Sequence, residues 1–278
     1  GNTPLIKLKQ ASIITGCNIY GKAEYFNPGE SIKDRAALFI VQDAIKSGKI
    51  KTGGTIVEGT AGNTGIGLAL VAKAYGLKTI IVIPKTQSVE KKETLKKYGA
   101  ELIEVDAVPY SDPKNYIKQS KKIAEDLMKN NSNGVLWANQ FDNLMNTEAH
   151  IKTTAEEIWT QTAGKVDGFT CSVGTGGTLS GVSIGLKEKN KSIKIALSDP
   201  MGSSLYSHFV NGELENSGSS ITEGIGTGRI TKNYENAIVD EAFQTKDSEA
   251  LNLIFDLLTD QNIMLGGSSG INISGAIL

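Results

Sequence analysis

The chain has 278 residues, 39% of them hydrophobic, enough to bury one large core or two modest ones. Its 29 Lys+Arg against 30 Asp+Glu leave a formal net charge of -1, which excludes the basic excess that a nucleic-acid or acidic-membrane partner demands. Two cysteines, Cys17 and Cys171, with no Cys-x-x-Cys pair argue against a disulfide framework or structural zinc and fit a reducing, cytoplasmic setting. No run of about 18 apolar residues offers a membrane span. The first residue is Gly1 rather than methionine, so nothing about targeting is read from the start.

The first helical pattern runs from Ser31 to Ser47. It is entered through Asn27-Pro28-Gly29-Glu30-Ser31-Ile32-Lys33-Asp34-Arg35. Ser31 is a natural N-cap, and Asp34 three residues on completes an approximate capping box. Lys33 then falls in the first turn, where the helix dipole disfavours a cation and brings a neutral, nucleophilic amine within reach. An ordinary surface lysine is the other reading this residue allows by itself.

A strand is expected at Thr55 to Glu58, followed by Gly59-Thr60-Ala61-Gly62-Asn63-Thr64-Gly65-Ile66-Gly67 and a helix from Thr64 to Tyr75. The glycines let the backbone approach a ligand, the helix start offers N–H groups to an anion, and Asn63 adds a side chain for a phenolic or carboxylate oxygen. A tight turn that binds nothing is the alternative. Strands follow at Thr79 to Ile83, Glu101 to Val105 and Val135 to Trp137, with a helix from Ser88 to Tyr98. The lysines from Lys91 to Lys97, set among Glu90 and Glu93, read as a solvated helix face. Gly48, Gly76 and Gly99 stand where the three helices should stop.

Further strands are expected at Phe169 to Val173 and Lys194 to Ser198. Between them lies Gly174-Thr175-Gly176-Gly177-Thr178, three glycines and two hydroxyls at a helix start, a good phosphate cradle. It lacks the Gly-Lys-Ser/Thr ending of a nucleotide loop, and Leu179 occupies the place of a dinucleotide fingerprint's third glycine. The polar stretch Asn211 to Ser220 is the candidate mobile loop. Gly266-Gly267-Ser268-Ser269-Gly270 matches a hydrolase nucleophile elbow, but both histidines, His150 and His208, precede Ser268, the wrong order for that triad. Neither histidine has metal-ligand spacing, and each is expected to be structural or on the surface. The alternation of strand and helix implies parallel sheets covered on both faces, an α/β fold. A domain boundary is expected near His150.

Taken together and in order, Gly1-Asn2-Thr3-Pro4-Leu5, the Lys33 segment, the Asn63 loop, Gln140-Phe141, Thr153-Thr154 with Glu157-Ile158-Trp159, the Gly174 to Thr178 loop, Glu223-Gly224-Ile225-Gly226 and Ser268 resemble the cysteine synthase (O-acetylserine sulfhydrylase) family of fold-type II pyridoxal-phosphate enzymes. The likeness runs from Gly1 to Leu278. It implies two α/β domains of mostly parallel twisted sheets covered by helices, with pyridoxal 5'-phosphate in the cleft between them. Residues 27–147 would form a smaller mobile domain, and residues 1–26 and 148–278 a larger one. It implies that Lys33 forms the Schiff base and moves the α-proton. Asn63 would meet the ring hydroxyl, Gly174, Thr175, Gly176, Gly177 and Thr178 the phosphate, and Ser268 the pyridine nitrogen. The substrate carboxylate would fall to Thr60, Gly62, Asn63, Thr64 and Gln140.

The activity implied is β-replacement, O-acetylserine plus sulfide giving cysteine and acetate through an aminoacrylate. A serine at the pyridine nitrogen cannot keep the ring protonated as a carboxylate would, which suits expulsion of a good β-leaving group. The resemblance also implies a homodimer and serine acetyltransferase as a docking partner. Four features depart from the pattern: Ala61 where serine is usual, Glu30 for a glycine, Gly267 for an isoleucine, and a long Val105 to Tyr116 segment. A cystathionine β-synthase-like reaction is the near alternative and a non-catalytic partner-binding relative a further one. A nicotinamide oxidoreductase fails on glycine spacing.

Overall fold

The computed structural model describes residues 1–278, and the chain falls into two compact units. One comprises Gly1 and Glu24–Ala149; the other comprises Asn2–Ala23 and His150–Leu278. The second unit takes the opening antiparallel pair, β1 (Leu5–Lys7) and β2 (Tyr20–Lys22), with α1 (Lys9–Thr15) between its strands.

The first unit then runs α2 (Lys33–Lys46), β3 (Thr55–Gly59), α3 (Asn63–Ala74), β4 (Lys78–Pro84), α4 (Val89–Lys97), β5 (Ala100–Val105), α5 (Tyr116–Met128), β6 (Val135–Trp137) and α6 (Met145–Ala149). Its sheet is wholly parallel, in the order β5-β4-β3-β6. Every residue of β3 is buried, as a strand covered on both faces must be. Alternation sorts its side chains. Ile56 packs with Ala37, Ile40 and Val41 of α2 and Leu68 of α3, while Val57 packs with Ala124 of α5. Each such aliphatic side chain contributes roughly 1.5–3 kcal/mol by leaving water. Gly48, Gly76 and Gly99 follow α2, α3 and α4 at φ 73, 65 and 92, the left-handed stops their positions suggested.

After a π-helical stretch, His150–Ala155, the second unit continues with α7 (Glu156–Gln161), β7 (Gly168–Cys171), α8 (Gly177–Lys189), β8 (Lys194–Pro200), α9 (Leu205–Asn211), β9 (Glu241–Thr245), α10 (Asp247–Gln261) and α11 (Gly267–Ile277). Its parallel sheet is β7-β8-β9. Leu179, Val182 and Leu186 of α8 cover Ile195 and Leu197 of β8. The strand expected to reach Val173 stops at Cys171. Beyond it the Ser172 N–H turns out of the ladder to the side-chain oxygen of Asn272 at 2.6 Å. The Asn211 to Ser220 stretch carries no strand and no helix beyond Asn211. No helix is long and apolar enough to cross a membrane.

Candidate active site

Both sheets end their central loops at helix N-termini, the place where ligands bind in α/β folds. In the first unit, β3 passes through Thr60 to Gly62 into α3, whose N-cap, Gly62, is extended and contributes no side-chain cap. The first N–H groups of such a helix lack i−4 partners and can meet an anion, although here the Gly65 N–H also closes on the Gly62 carbonyl at 3.1 Å. Asn63 is the first helical residue and is exposed. Thr60 is buried, and its hydroxyl accepts the Gly62 N–H at 3.2 Å, which shapes the turn.

Thr64 and Gln140, 76 residues apart, are brought into contact: the buried Thr64 hydroxyl donates to Oε1 of Gln140. Gln140 is held in turn by Glu58, a carboxylate in the middle of the sheet. Glu58 accepts the Asn139 N–H at 2.7 Å and the Gln140 N–H at 3.4 Å. Burial pushes its pKa up to about 7, against the pull of the Gln140 and Asn139 amides. Sequence reading passed over this residue, although a carboxylate inside an otherwise apolar strand is itself a signal, since buried charges require partners.

Lys33 opens α2, half-buried in its first turn as expected. The capping differs from expectation. The Ser31 hydroxyl accepts the Lys33 N–H at 3.3 Å, but Asp34 does not reach back to Ser31; its carboxylate accepts the Gly29 N–H at 2.5 Å, and the helix starts at Lys33. The longer reach closes the Pro28-Gly29-Glu30 turn over the helix start. Burial pushes Asp34's pKa up, opposed by that Gly29 hydrogen bond. Underneath, Arg35 is buried and grips Glu24 with two hydrogen bonds of 2.7 and 2.8 Å. Gly67 of α3 lies against Asp34 and Ala37, so Lys33 and Asn63 begin two helices that pack side by side.

In the second unit the Gly174 to Thr178 loop joins β7 to α8. A Cβ at Gly174 would fall 2.2 Å from the Gly224 carbonyl oxygen, and Gly176, at φ 90, sits against the Tyr234 backbone. No larger residue fits either place. Thr231 fastens the loop by donating its hydroxyl to the Thr175 carbonyl at 2.7 Å. His150, expected to be merely structural or superficial, is buried and bridges Thr154 (2.9 Å) and the Thr178 hydroxyl (3.2 Å). It leaves the π-helical stretch toward the start of α8, a geometry that spacing in the sequence does not reveal. The cradle of backbone N–H groups, with Thr175 and Thr178 hydroxyls at the start of a 13-residue helix, fits a phosphate.

Ser268 stands in the first turn of α11 and lines a cavity of about 350 Å³ with Thr222, Glu223, Asp247 and Gly267. Asp247 is already committed, accepting from the Ser220 hydroxyl (2.6 Å) and the Ile221 N–H (2.8 Å). The Glu223 to Gly226 stretch is common to both places: Gly224 backs Gly174, and Glu223 borders the Ser268 cavity. The second unit thus joins the phosphate cradle and Ser268 by one wall. The first joins the Asn63 loop, Gln140 and, through α2, Lys33.

The family model for "pyridoxal-phosphate dependent enzyme" matches residues 1–278. Cysteine synthase 1 of Neurospora crassa is 49% identical over 281 residues, covering 99% of this chain and 73% of that protein. Cysteine synthase 1 of Emericella nidulans is also 49% identical, over 99% of this chain and 75% of that protein. Among solved structures, the O-acetylserine dependent cystathionine β-synthase from Helicobacter pylori superposes with a TM-score of 0.85 at 34% identity, covering 98% of this chain and 85% of that one.

Proposed function

The chain belongs to the pyridoxal-phosphate-dependent enzymes, and from that premise we propose that it makes L-cysteine and acetate from O-acetylserine and sulfide. The observation that carries this reading is the 49% identity to two cysteine synthases over 99% of the chain. When bound, pyridoxal phosphate supplies an electron sink at the substrate α-carbon, so that a proton can leave it and the β-acetoxy group can depart.

Lys33 is the covalent anchor and the base that takes and returns the α-proton. Its first-turn position supports this, because the dipole of α2 favours the neutral amine. The N–H groups and hydroxyls of Gly174, Thr175, Gly176, Gly177 and Thr178 hold the phosphate, with His150 orienting Thr178. Asn63 takes the ring hydroxyl and Ser268 the ring nitrogen. The substrate carboxylate is held by Thr60, Gly62, Asn63, Thr64 and Gln140, which fix the α-carbon for proton transfer. The C–O bond to acetate breaks, the C–S bond to sulfide forms, and Lys33 returns the proton. The reading includes a homodimer, for which exposed Ile13, Phe255 and Met264 offer apolar surface. It also includes a cytoplasmic location and docking by serine acetyltransferase.

The test is the visible absorbance of the holoenzyme. O-acetylserine should shift the band and sulfide should restore it. A protein that stays colourless with pyridoxal phosphate, or a band that ignores O-acetylserine, refutes the reading. A second reading, with a thiol amino acid replacing sulfide, is favoured by the 34% identity to the O-acetylserine dependent cystathionine β-synthase from Helicobacter pylori. Restoration of the band by homocysteine and not by sulfide would select it.

A further inference from the structure

We propose that Glu58 is the positioning residue of the substrate-carboxylate subsite: ionised, it gathers the turn after β6 so that Gln140 and Thr64 face the carboxylate, and protonation releases that turn. The inference rests on the assignment of Thr64 and Gln140 to the carboxylate.

The geometry is specific. β6 leaves the sheet after Trp137: the Ala138 N–H still bonds Val57 O at 3.0 Å, and Asn139 then turns left-handed at φ 49. That turn lifts the next two N–H groups off the ladder, and the Glu58 carboxylate receives both. The Gln140 side-chain amide also favours the Glu58 charge. Its Oε1 accepts from Thr64. One carboxylate therefore orders a line of donors that ends at the start of α3.

Two oxygens without a proton can accept these N–H groups. Protonation removes one acceptor site and sets an O–H donor among groups that are themselves donors, which weakens the hold on the Asn139 and Gln140 N–H groups. Glu58 is only 1% exposed, so water cannot replace the lost partner. Across the ladder it faces the uncharged Ile81 of β4, and what moves its pKa is burial against the Gln140 and Asn139 amides. From α5 the titratable group is Tyr116, whose pKa is raised by burial first and by the Glu58 charge second. With the Glu58 pKa pushed up to about 7, the turn loosens within an ordinary pH range.

Propionate is the probe, because it carries the carboxylate and no amine to titrate in that range. Its dissociation constant for the holoenzyme is measured by ligand-observed NMR from about pH 6 to about pH 8, in wild type, Glu58→Gln and Gln140→Ala. Wild type should bind about tenfold more weakly at the low end, following the ionised fraction. Glu58→Gln should be flat with pH and raise KM for O-acetylserine more than it changes kcat. A wild-type profile that is flat, that tightens at low pH, or that Glu58→Gln reproduces overturns the role of Glu58. Unchanged binding in Gln140→Ala overturns instead the assignment of Gln140. Should Glu58→Gln fail to fold, proton release on binding propionate to wild type near pH 7 decides: release supports the inference, and none overturns it.

Discussion

The two units build their candidate ligand loops from opposite materials. In the first, the proposed chemistry rests on side chains: Lys33 at the start of α2, Asn63 at the start of α3, and the line from Thr64 through Gln140 to Glu58. In the second, the cradle is mostly backbone, shaped by glycines whose missing Cβ atoms leave room for Gly224 and Tyr234. The difference teaches how each half fails. The first is broken by taking a side chain away and the second by adding one.

The largest effect belongs to the first half. Lys33→Ala should abolish covalent attachment and lower turnover by at least 10²–10⁴-fold, roughly what loss of a general base alone removes. The half-buried side chain stands at a helix start, so the circular dichroism spectrum should stay near wild type. A fully active variant would refute the side-chain half of the comparison. The second half is tested by addition. Gly174→Ala puts a methyl 2.2 Å from the Gly224 carbonyl, and relief requires the backbone to shift. A strain of about 1–3 kcal/mol, felt at the cradle, should weaken pyridoxal-phosphate affinity about 10–100-fold. Alanine at Gly62, where a Cβ meets nothing, is the control and should bind cofactor normally.

This contrast also explains what was legible in the sequence. Backbone-built features announce themselves locally: the glycine loops, the left-handed stops after α2, α3 and α4, and the short β-rich runs all lay near their expected places. What depended on distant partners did not. The partners of Glu58 come from a turn some 80 residues on, and His150 meets Thr178 28 residues away from a π-helical start. The Asp34 reach to Gly29 and the turn of Ser172 toward Asn272 were hidden for the same reason. β9, Glu-Ala-Phe-Gln-Thr, is an edge strand with polar residues at both ends and gave no apolar run to notice.

A carboxylate at matching places sharpens the comparison. Glu58 is next to last in β3, and Asp199 is next to last in β8. Burial raises both, Glu58 to about 7 and Asp199 to about 6. Glu58 has its hydrogen bonds, whereas Asp199 gives one oxygen to the Tyr206 N–H at 2.8 Å and leaves the other without a partner. Each folded pKa lies above its unfolded value, so the folded state holds more protons and stability falls as pH rises. For Glu58 that window runs from 4.5 to about 7, and for Asp199 from 3.8 to about 6. Each is worth on the order of 3 kcal/mol at most. Trp137 lies in the first unit and Trp159 in the second, so single-tryptophan variants follow each transition separately. Glu58→Gln should remove the pH slope reported by Trp137 and leave that of Trp159, and Asp199→Asn should do the reverse. A change in the wrong unit's slope would break the correspondence. The fold thus favours neutral Glu58 while substrate binding favours the ionised form, a conflict that suits a functional group better than a structural one.

The smallest effect concerns the Lys33 segment. Glu30, where the family resemblance leads one to expect a glycine, adopts φ 58 and closes the turn with its N–H on the Asn27 carbonyl at 2.8 Å. A left-handed conformation costs a non-glycine residue about 1–2 kcal/mol, partly offset by the greater freedom glycine has when unfolded. Glu30→Gly should therefore stabilise the first unit by about 0.5–1 kcal/mol, read as a rise of a few degrees in the Trp137 transition. Glu30→Asn separates backbone from charge, because asparagine tolerates this conformation without a carboxylate. If both variants gain stability and keep KM, the glutamate acts only through its backbone. If both raise KM for O-acetylserine alike, its charge serves the substrate, and the first half gains one more side chain whose removal breaks it.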